Sequence, residues 1–392
     1  MSGRWPFPEL SPAVHGGVDA VELAGLGVDP ASVIDFSSNQ SPLGVAPAAR
    51  EAANEAELDS YPDRDARELV AALAARHEVD PEWVVAGNGS TELIRLIAQL
   101  TLLPGDAALS LAPSFGEYEM GTLLARGRFL ELPLELEAPS LGDTSGDLPD
   151  LPSRGGLSSQ GGFAFDRIRF EAELHRAQPR LCWVCSPNNP TGAAVPPDDL
   201  ETLLHGFPAT LFVLDEAYCD LLPYPQWSRP TLERGNLVVL RSMTKVWGLA
   251  GLRLGYAVAD PSISGPLRAA SPPWNVNACA QAAGLAAISQ DERHVRAVEL
   301  LREGRDELAA EIAALGFSVL RSSAGFFLIE VDDPAAVRLS LLRHRCLVRD
   351  CTSFGLPRHI RVSPKRADEN DVLVAAFREV AENARPHPEA DR

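Results

Sequence analysis

The residues best suited to covalent chemistry lie in Ser242-Met243-Thr244-Lys245, with Arg253 following in Gly248-Leu249-Ala250-Gly251-Leu252-Arg253-Leu254-Gly255-Tyr256. A strand-like run, Asn236–Leu240, leads into this stretch, and a second apolar run, Arg253–Ala259, leaves it. A lysine at the end of a buried strand is costly to keep charged, so burial and cationic neighbours bring its amine towards reactivity. Ser242 and Arg253 are donor types that hold a phosphate, and Gly251 and Gly255 let backbone approach one closely. Read alone, the stretch is better taken as a strand–turn–strand with an exposed turn lysine. Three further strand ends shift that balance.

Gly89-Ser90-Thr91 opens a helix, whose first-turn N–H groups face any anion placed there. In isolation the same residues are simple N-capping by Ser90. Ser186-Pro187-Asn188-Asn189-Pro190-Thr191-Gly192 ends another strand and on its own reads as a turn. Leu214-Asp215-Glu216-Ala217-Tyr218 puts a carboxylate at the edge of an apolar strand, where Asp215 is as well suited to capping a helix as to chemistry.

The elements that must position these groups alternate. Strands are expected at Ala107–Leu111, Arg128–Pro133, Leu181–Cys185, Thr210–Leu214 and Leu237–Leu240, with helices at Glu117–Arg126, Phe170–Ala177 and Pro197–His205 between them. An amphipathic helix with Leu93, Leu96, Ile97 and Leu100 on one face follows Gly89. This rhythm predicts an α/β fold, with a mostly parallel central sheet and helices on both faces. Ligands then lie outside the carboxyl ends of the strands. Residues 1–45 read as an N-terminal arm packing with the small domain, 46–275 as a large domain carrying an Asp-, Ser-, Pro- and Gly-rich insertion at 137–162, and 276–392 as a smaller α+β domain. In the last unit a long helix, Asp291–Leu315, places Leu301, Leu308, Ile312 and Leu315 on one stripe.

A formal charge of −19 argues against nucleic acid or an anionic membrane as partner, which makes each locally placed arginine more informative. The first ten residues lack an apolar signal core, no run is long enough for a membrane span, and the six scattered cysteines suit reduced thiols, so a cytoplasmic location is expected. Cys182 and Cys185 form a C-x-x-C within a strand, where they face opposite sides. No second such pair completes a zinc site, and no metal is expected.

Taken together, N-N-P-T-G, D-E-A-Y and S-M-T-K…G-L-R-x-G-Y resemble the fold type I pyridoxal-phosphate (PLP) enzymes, specifically the class I/II aminotransferase group, over nearly the whole chain. The resemblance implies PLP as cofactor. It makes Lys245 the catalytic lysine and covalent anchor, Asp215 the partner of the pyridine nitrogen, and Asn189 and Tyr218 the partners of the phenolate oxygen. Gly89, Ser90, Thr91, Ser242 and Arg253 become phosphate-binding groups. Phe115 becomes the ring stacked on the cofactor, with Tyr118 its alternative. Tyr61 of Tyr-Pro-Asp implies a homodimer in which it reaches the neighbouring subunit's phosphate. Arg361 corresponds to the arginine that holds a substrate carboxylate.

Two subgroups share these motifs: histidinol-phosphate aminotransferases and threonine-phosphate decarboxylases. His15-Gly16-Gly17, Asp35-Phe36-Ser37-Ser38-Asn39…Pro42-Leu43-Gly44, Gly87-Asn88-Gly89-Ser90-Thr91, Pro272-Pro273-Trp274 and Val348-Arg349-Asp350-Cys351 lean towards the second. Val18, Gln40-Ser41 and the insertion depart from its pattern. The leading expectation is therefore decarboxylation of O-phospho-L-threonine, with a histidinol-phosphate-type aminotransferase as the alternative and a non-catalytic PLP-fold binding protein as a remote one. A small phosphorylated amino acid brings two anions, for which Arg361, Arg349 and His15 are the candidates. For Arg349 a surface ion pair, and for His15 a turn histidine, explain the residue about equally well. Which substrate bond breaks depends on which one these groups hold perpendicular to the pyridine ring.

Overall fold

The computed structural model describes residues 10–137 and 161–383. Its centre is a seven-stranded sheet in the spatial order Val84–Asn88, Leu254–Ala259, Leu237–Ser242, Leu211–Asp215, Leu181–Cys185, Ala107–Ala112 and Arg128–Pro133. Only Leu254–Ala259 runs against its neighbours; the others are parallel. This strand brings its amino end, not its carboxyl end, to the edge where Asp215 and Ser242 finish, and so delivers Arg253 there.

Side chains alternate along each strand and fill two cores. Cys182, Val184, Phe212, Leu214, Leu237 and Val239 face one side, against helices Arg67–Arg76, Arg167–Ala177 and Pro197–Gly206. Leu181, Trp183, Cys185, Val213, Val238 and Leu240 face the other, against helices Gly89–Thr101, Glu117–Leu124 and Pro261–Ala270. The two C-x-x-C cysteines thus lie in different cores, as the strand period requires. The helix Gly89–Thr101 buries Leu93, Ile94, Ile97 and Ala98, but Leu100, expected on that face, is 49% exposed.

The helix Ala278–Ile288 packs Ala280, Ala283 and Ala287 into the first of these cores, although it follows the boundary expected at 275. Its run of small apolar residues has no polar face, so no helical period marked it in the sequence.

A four-stranded antiparallel sheet follows, in the order Ser318–Val319, Phe327–Glu330, His359–Val362 and Arg349–Asp350. Its core includes Leu308 and Ile312 of helix Asp291–Ala314 and Phe377 of helix Ala367–Asn383. Phe36 is fully buried in the same core, and Ile34–Asp35 pair in parallel with Cys346–Leu347. The segment around 34–36 is therefore stitched to residues more than three hundred positions away. The ends of the expected insertion, Glu135–Glu137 and Gly162–Ala164, form an antiparallel pair; residues 138–160 lie outside the described ones.

Candidate active site

A cavity of about 820 Å³ opens at the carboxyl edge of the central sheet, between it and the antiparallel sheet. Its wall contains Ser90, Thr91, Phe115, Tyr118, Asn189, Asp215, Tyr218, Ser242, Lys245, Arg253, Arg361 and His15, twelve of the fifteen site residues singled out in the sequence. Gly89 adjoins it, one residue before Ser90. Arg349 and Tyr61 are not in the wall.

Lys245 sits in a turn whose geometry is set by its own carbonyl, which accepts from Ser41 N at 3.2 Å and Gly248 N at 3.0 Å. Its Nζ lies 5.5 Å from the centre of the Tyr218 ring. Tyr218 is held edge-on to Phe326, and its hydroxyl accepts from Asn39 Nδ2 at 3.1 Å. Asn39 comes from the arm, so the lysine pocket is closed by a residue that no single-strand motif identified.

Asp215 ends its strand 3% exposed. Its Oδ1 accepts from Ala217 N at 3.0 Å and its Oδ2 from Tyr118 Oη at 2.8 Å. Burial raises its pKa above the ordinary carboxylate value, while the Tyr118 hydrogen bond, the Ala217 N–H and the charge of Lys245 pull the other way. Tyr118 is fully buried and stacked on Trp183, so it is not free to cover a ligand. Phe115, edge-on to Tyr118 and in the cavity wall, is the aromatic available for that role.

The N-N-P-T-G loop separates its two asparagines by function. Asn188 is fully buried and ties the loop together, donating to Pro113 O and Thr191 Oγ1 and accepting from Ser114 Oγ. Asn189 faces the cavity, where its Oδ1 accepts from Arg361 Nη1.

At the other end, Gly255 lies in register with both Ser242 and Gly87. A Cβ on Gly255 would stand 2.6 Å from Ser90 N, so only glycine lets the Ser90 turn come this close. Ser242 Oγ and Thr244 Oγ1 are 2.7 Å apart, and the Arg253 guanidinium is close enough to Gly89 to meet a Cβ placed there at 3.0 Å. Hydroxyls, a guanidinium and the first N–H groups of a helix converge, an arrangement that suits a phosphate.

The arm explains its own D-F-S-S sequence. Asp35 accepts from the backbone and hydroxyls of Ser37 and Ser38, forming a turn that aims two carbonyls outward. Ser37 O accepts from Arg361 Nη2 at 2.7 Å, and Ser38 O from Lys365 Nζ at 2.9 Å. Arg349 instead donates to Val14 O at 2.9 Å and Ser353 Oγ at 2.7 Å, and its guanidinium lies against Phe354. It is no surface ion pair: Arg349 is 9% exposed, and burial followed by the charge of Arg361 lowers its pKa. His15 Nε2 lies 3.3 Å from Glu117 Oε1, while Glu117 Oε2 accepts from Arg95 Nε and Nη2. Glu117 and Arg95 also line the cavity. Neither carried a sequence signal, because their pairing links two helices and the arm. Tyr61 is 80% exposed and stacked on Trp274, 4.4 Å between ring centres.

The family model described as aminotransferase class I and II matches residues 31–377. Among curated relatives, a histidinol-phosphate aminotransferase of Symbiobacterium thermophilum is 36% identical over 88% of this chain and 90% of its own. Histidinol-phosphate aminotransferase 1 of Cupriavidus pinatubonensis is 33% identical over 96% and 97%. Among solved structures, the histidinol-phosphate aminotransferase of Sinorhizobium meliloti in complex with pyridoxal-5'-phosphate superposes with a TM-score of 0.77 at 22% identity, covering 93% of this chain and 94% of that one. The L-threonine-O-3-phosphate decarboxylase of Porphyromonas gingivalis gives 0.71 at 25% identity, covering 88% and 99%. A cavity that joins Lys245, the buried Asp215 carboxylate and a phosphate-type cradle is thus set in a chain that belongs to the class I and II aminotransferases, fold type I enzymes that work with pyridoxal phosphate.

Proposed function

We propose that this enzyme moves an amino group between a small phosphorylated amine and a keto acid, as an aminotransferase of the histidinol-phosphate type. The observation that carries this reading is the meeting of Lys245, Asp215 and Arg361 on one cavity wall. The curated relatives support transamination over the decarboxylation that the arm motifs put first.

The residues present fit the cofactor. Ser90, Thr91, Ser242 and Arg253, with the backbone at Gly89, would hold its phosphate. Asp215 would face its ring nitrogen, Asn189 and Tyr218 its phenolate oxygen, and Phe115 its ring face. Lys245 would anchor it covalently. When bound, PLP supplies an electron-accepting ring for the bond broken at the substrate carbon that bears nitrogen. Lys245 would supply the amine that takes the proton from the substrate carbon bearing nitrogen and gives it back during the exchange. Arg361, with His15, would take the substrate's anionic groups and so set its orientation, while Arg349, behind the wall, would hold the arm at Val14, next to His15.

A second reading, decarboxylation of a phosphorylated amino acid, is favoured by the arm: His15 lines the cavity and Val14 O is held by Arg349. One experiment separates the two. Protein reconstituted with PLP is given L-histidinol phosphate and 2-oxoglutarate, or O-phospho-L-threonine alone. Glutamate formation is expected. Carbon dioxide from the second mixture would instead support the decarboxylase, and neither product would overturn both readings. We further propose a homodimer with shared sites, supported by the exposure of Tyr61 away from its own cavity.

A further inference from the structure

We infer that Tyr118 is a positioning residue for Asp215: its hydroxyl fixes which face of the carboxylate is turned to the cofactor's ring nitrogen. The inference rests on the cofactor placement proposed above and extends it to a residue expected to play a different part.

Both oxygens of Asp215 have one donor each, Ala217 N on Oδ1 and Tyr118 Oη on Oδ2. Ala217 is two residues along the same backbone and cannot by itself stop the carboxylate from turning about its last bond. Tyr118 comes from a different element, helix Glu117–Leu124, and restrains that rotation from outside. The restraint is itself clamped. The Tyr118 ring stacks on Trp183 at 5.3 Å and 10°, and its carbonyl accepts from Thr122 Oγ1 at 2.8 Å. Thr122 Oγ1 in turn accepts from Trp183 Nε1 at 3.3 Å.

Among the described residues no other side chain donates to Asp215 Oδ2. Cys185 stands in register with Asp215 on the adjacent strand and lines the cavity, but its thiol donates to Pro187 O at 3.4 Å. Burial also pushes the Tyr118 phenol well above its ordinary pKa, so it remains a donor across the working pH range. A neutral donor on a buried carboxylate stabilises the ionised form without adding a counter-charge. Asp215 therefore stays able to attract a proton on the ring nitrogen.

The test uses protein reconstituted with PLP and compares wild type, Tyr118→Phe, Asp215→Asn and the double variant. Phenylalanine keeps the stack on Trp183 and removes only the hydroxyl. Three quantities are read: the cofactor dissociation constant, the pH midpoint of the visible cofactor absorbance, and kcat. Tyr118→Phe is expected to weaken cofactor binding and lower kcat by roughly tenfold each, the scale of a lost hydrogen bond to a charged group, and to move the absorbance midpoint by about half a unit. In the Asp215→Asn background the same substitution is expected to have little further effect, because the two residues act as one unit. Wild-type binding and midpoint in Tyr118→Phe would overturn the inference, as would an undiminished effect in the Asp215→Asn background, which is what general loosening of the core produces. Wild-type protein with no visible cofactor band would overturn the cofactor placement itself, a failure distinct from these.

Discussion

Arg349 and Arg361 stand directly opposite each other on neighbouring antiparallel strands, 9% and 4% exposed, and among the described residues neither has a carboxylate partner within ion-pair distance. Both Nε atoms are buried without a hydrogen-bond partner. Two adjacent buried cations with unused donors are costly unless an anion joins them. Inorganic phosphate or sulfate should therefore stabilise the cofactor-free protein more than chloride at equal ionic strength. An anion at a hundred times its dissociation constant adds about 2.7 kcal/mol. Thermal denaturation reads the shift, and Arg361→Met should remove most of it. Equal effects of sulfate and chloride on wild type would count against an anion site here.

Replacing Lys245 with alanine should leave the fold intact, since its Nζ has no carboxylate partner among the described residues, yet lower kcat by roughly a thousandfold through loss of the proton carrier. Borohydride reduction of the PLP-loaded wild type, followed by peptide mass analysis, should find the cofactor on Lys245. Its appearance on another lysine would refute the anchor assignment.

Gly255 tests the cradle separately from the lysine. A Cβ there would lie 2.6 Å from Ser90 N and 3.0 Å from Arg241 O, both backbone atoms that cannot swing aside. Gly255→Ala should cost about 1–3 kcal/mol of stability by overpacking, and weaken cofactor binding by moving the Ser90 turn. Calorimetry with and without cofactor separates the two effects; unchanged cofactor affinity would place the phosphate elsewhere.

Much of this candidate site was legible because each strand end carries its cavity-lining residue inside a short contiguous motif: Asn189 in N-N-P-T-G, Asp215 in D-E-A-Y, Lys245 in S-M-T-K. Arg253 was legible as a residue type but not as a geometric partner, since its approach depends on one strand running backwards. Tyr118 reads from its motif only as an alternative stacking ring; its hydrogen-bond partner, Asp215, is 97 residues away, beyond any local pattern. The Arg95–Glu117–His15 cluster escaped for the same reason. Helix Ala278–Ile288 escaped for another: a helix whose buried and solvent-facing sides are both built of small apolar residues has no period to detect.

His77 supplies a pH test remote from the chemistry. It ends helix Arg67–Arg76, with Nε2 2.8 Å from Tyr256 Oη and its ring against Trp227. Burial, and then the charges of Arg241 and Arg76, lower its pKa from 6.5 to about 3, while Asp220 opposes this weakly. In the folded protein the ring thus stays neutral down to about pH 3, whereas the unfolded chain binds a proton below about pH 6.5. The unfolded state then holds more protons throughout that window, so stability falls as pH drops from 6.5 towards 3 and is retained above 6.5. At 1.36 kcal/mol per unit, the loss by pH 5 is about 2 kcal/mol. His77→Gln keeps a polar partner for Tyr256 but does not titrate, so it should be less stable than wild type at pH 7.5 and lose less on acidification. Urea unfolding at pH 7.5 and pH 5 measures both differences. If wild type and variant lost the same stability between those values, His77 would not be held neutral, and the acid sensitivity would have to come from carboxylates.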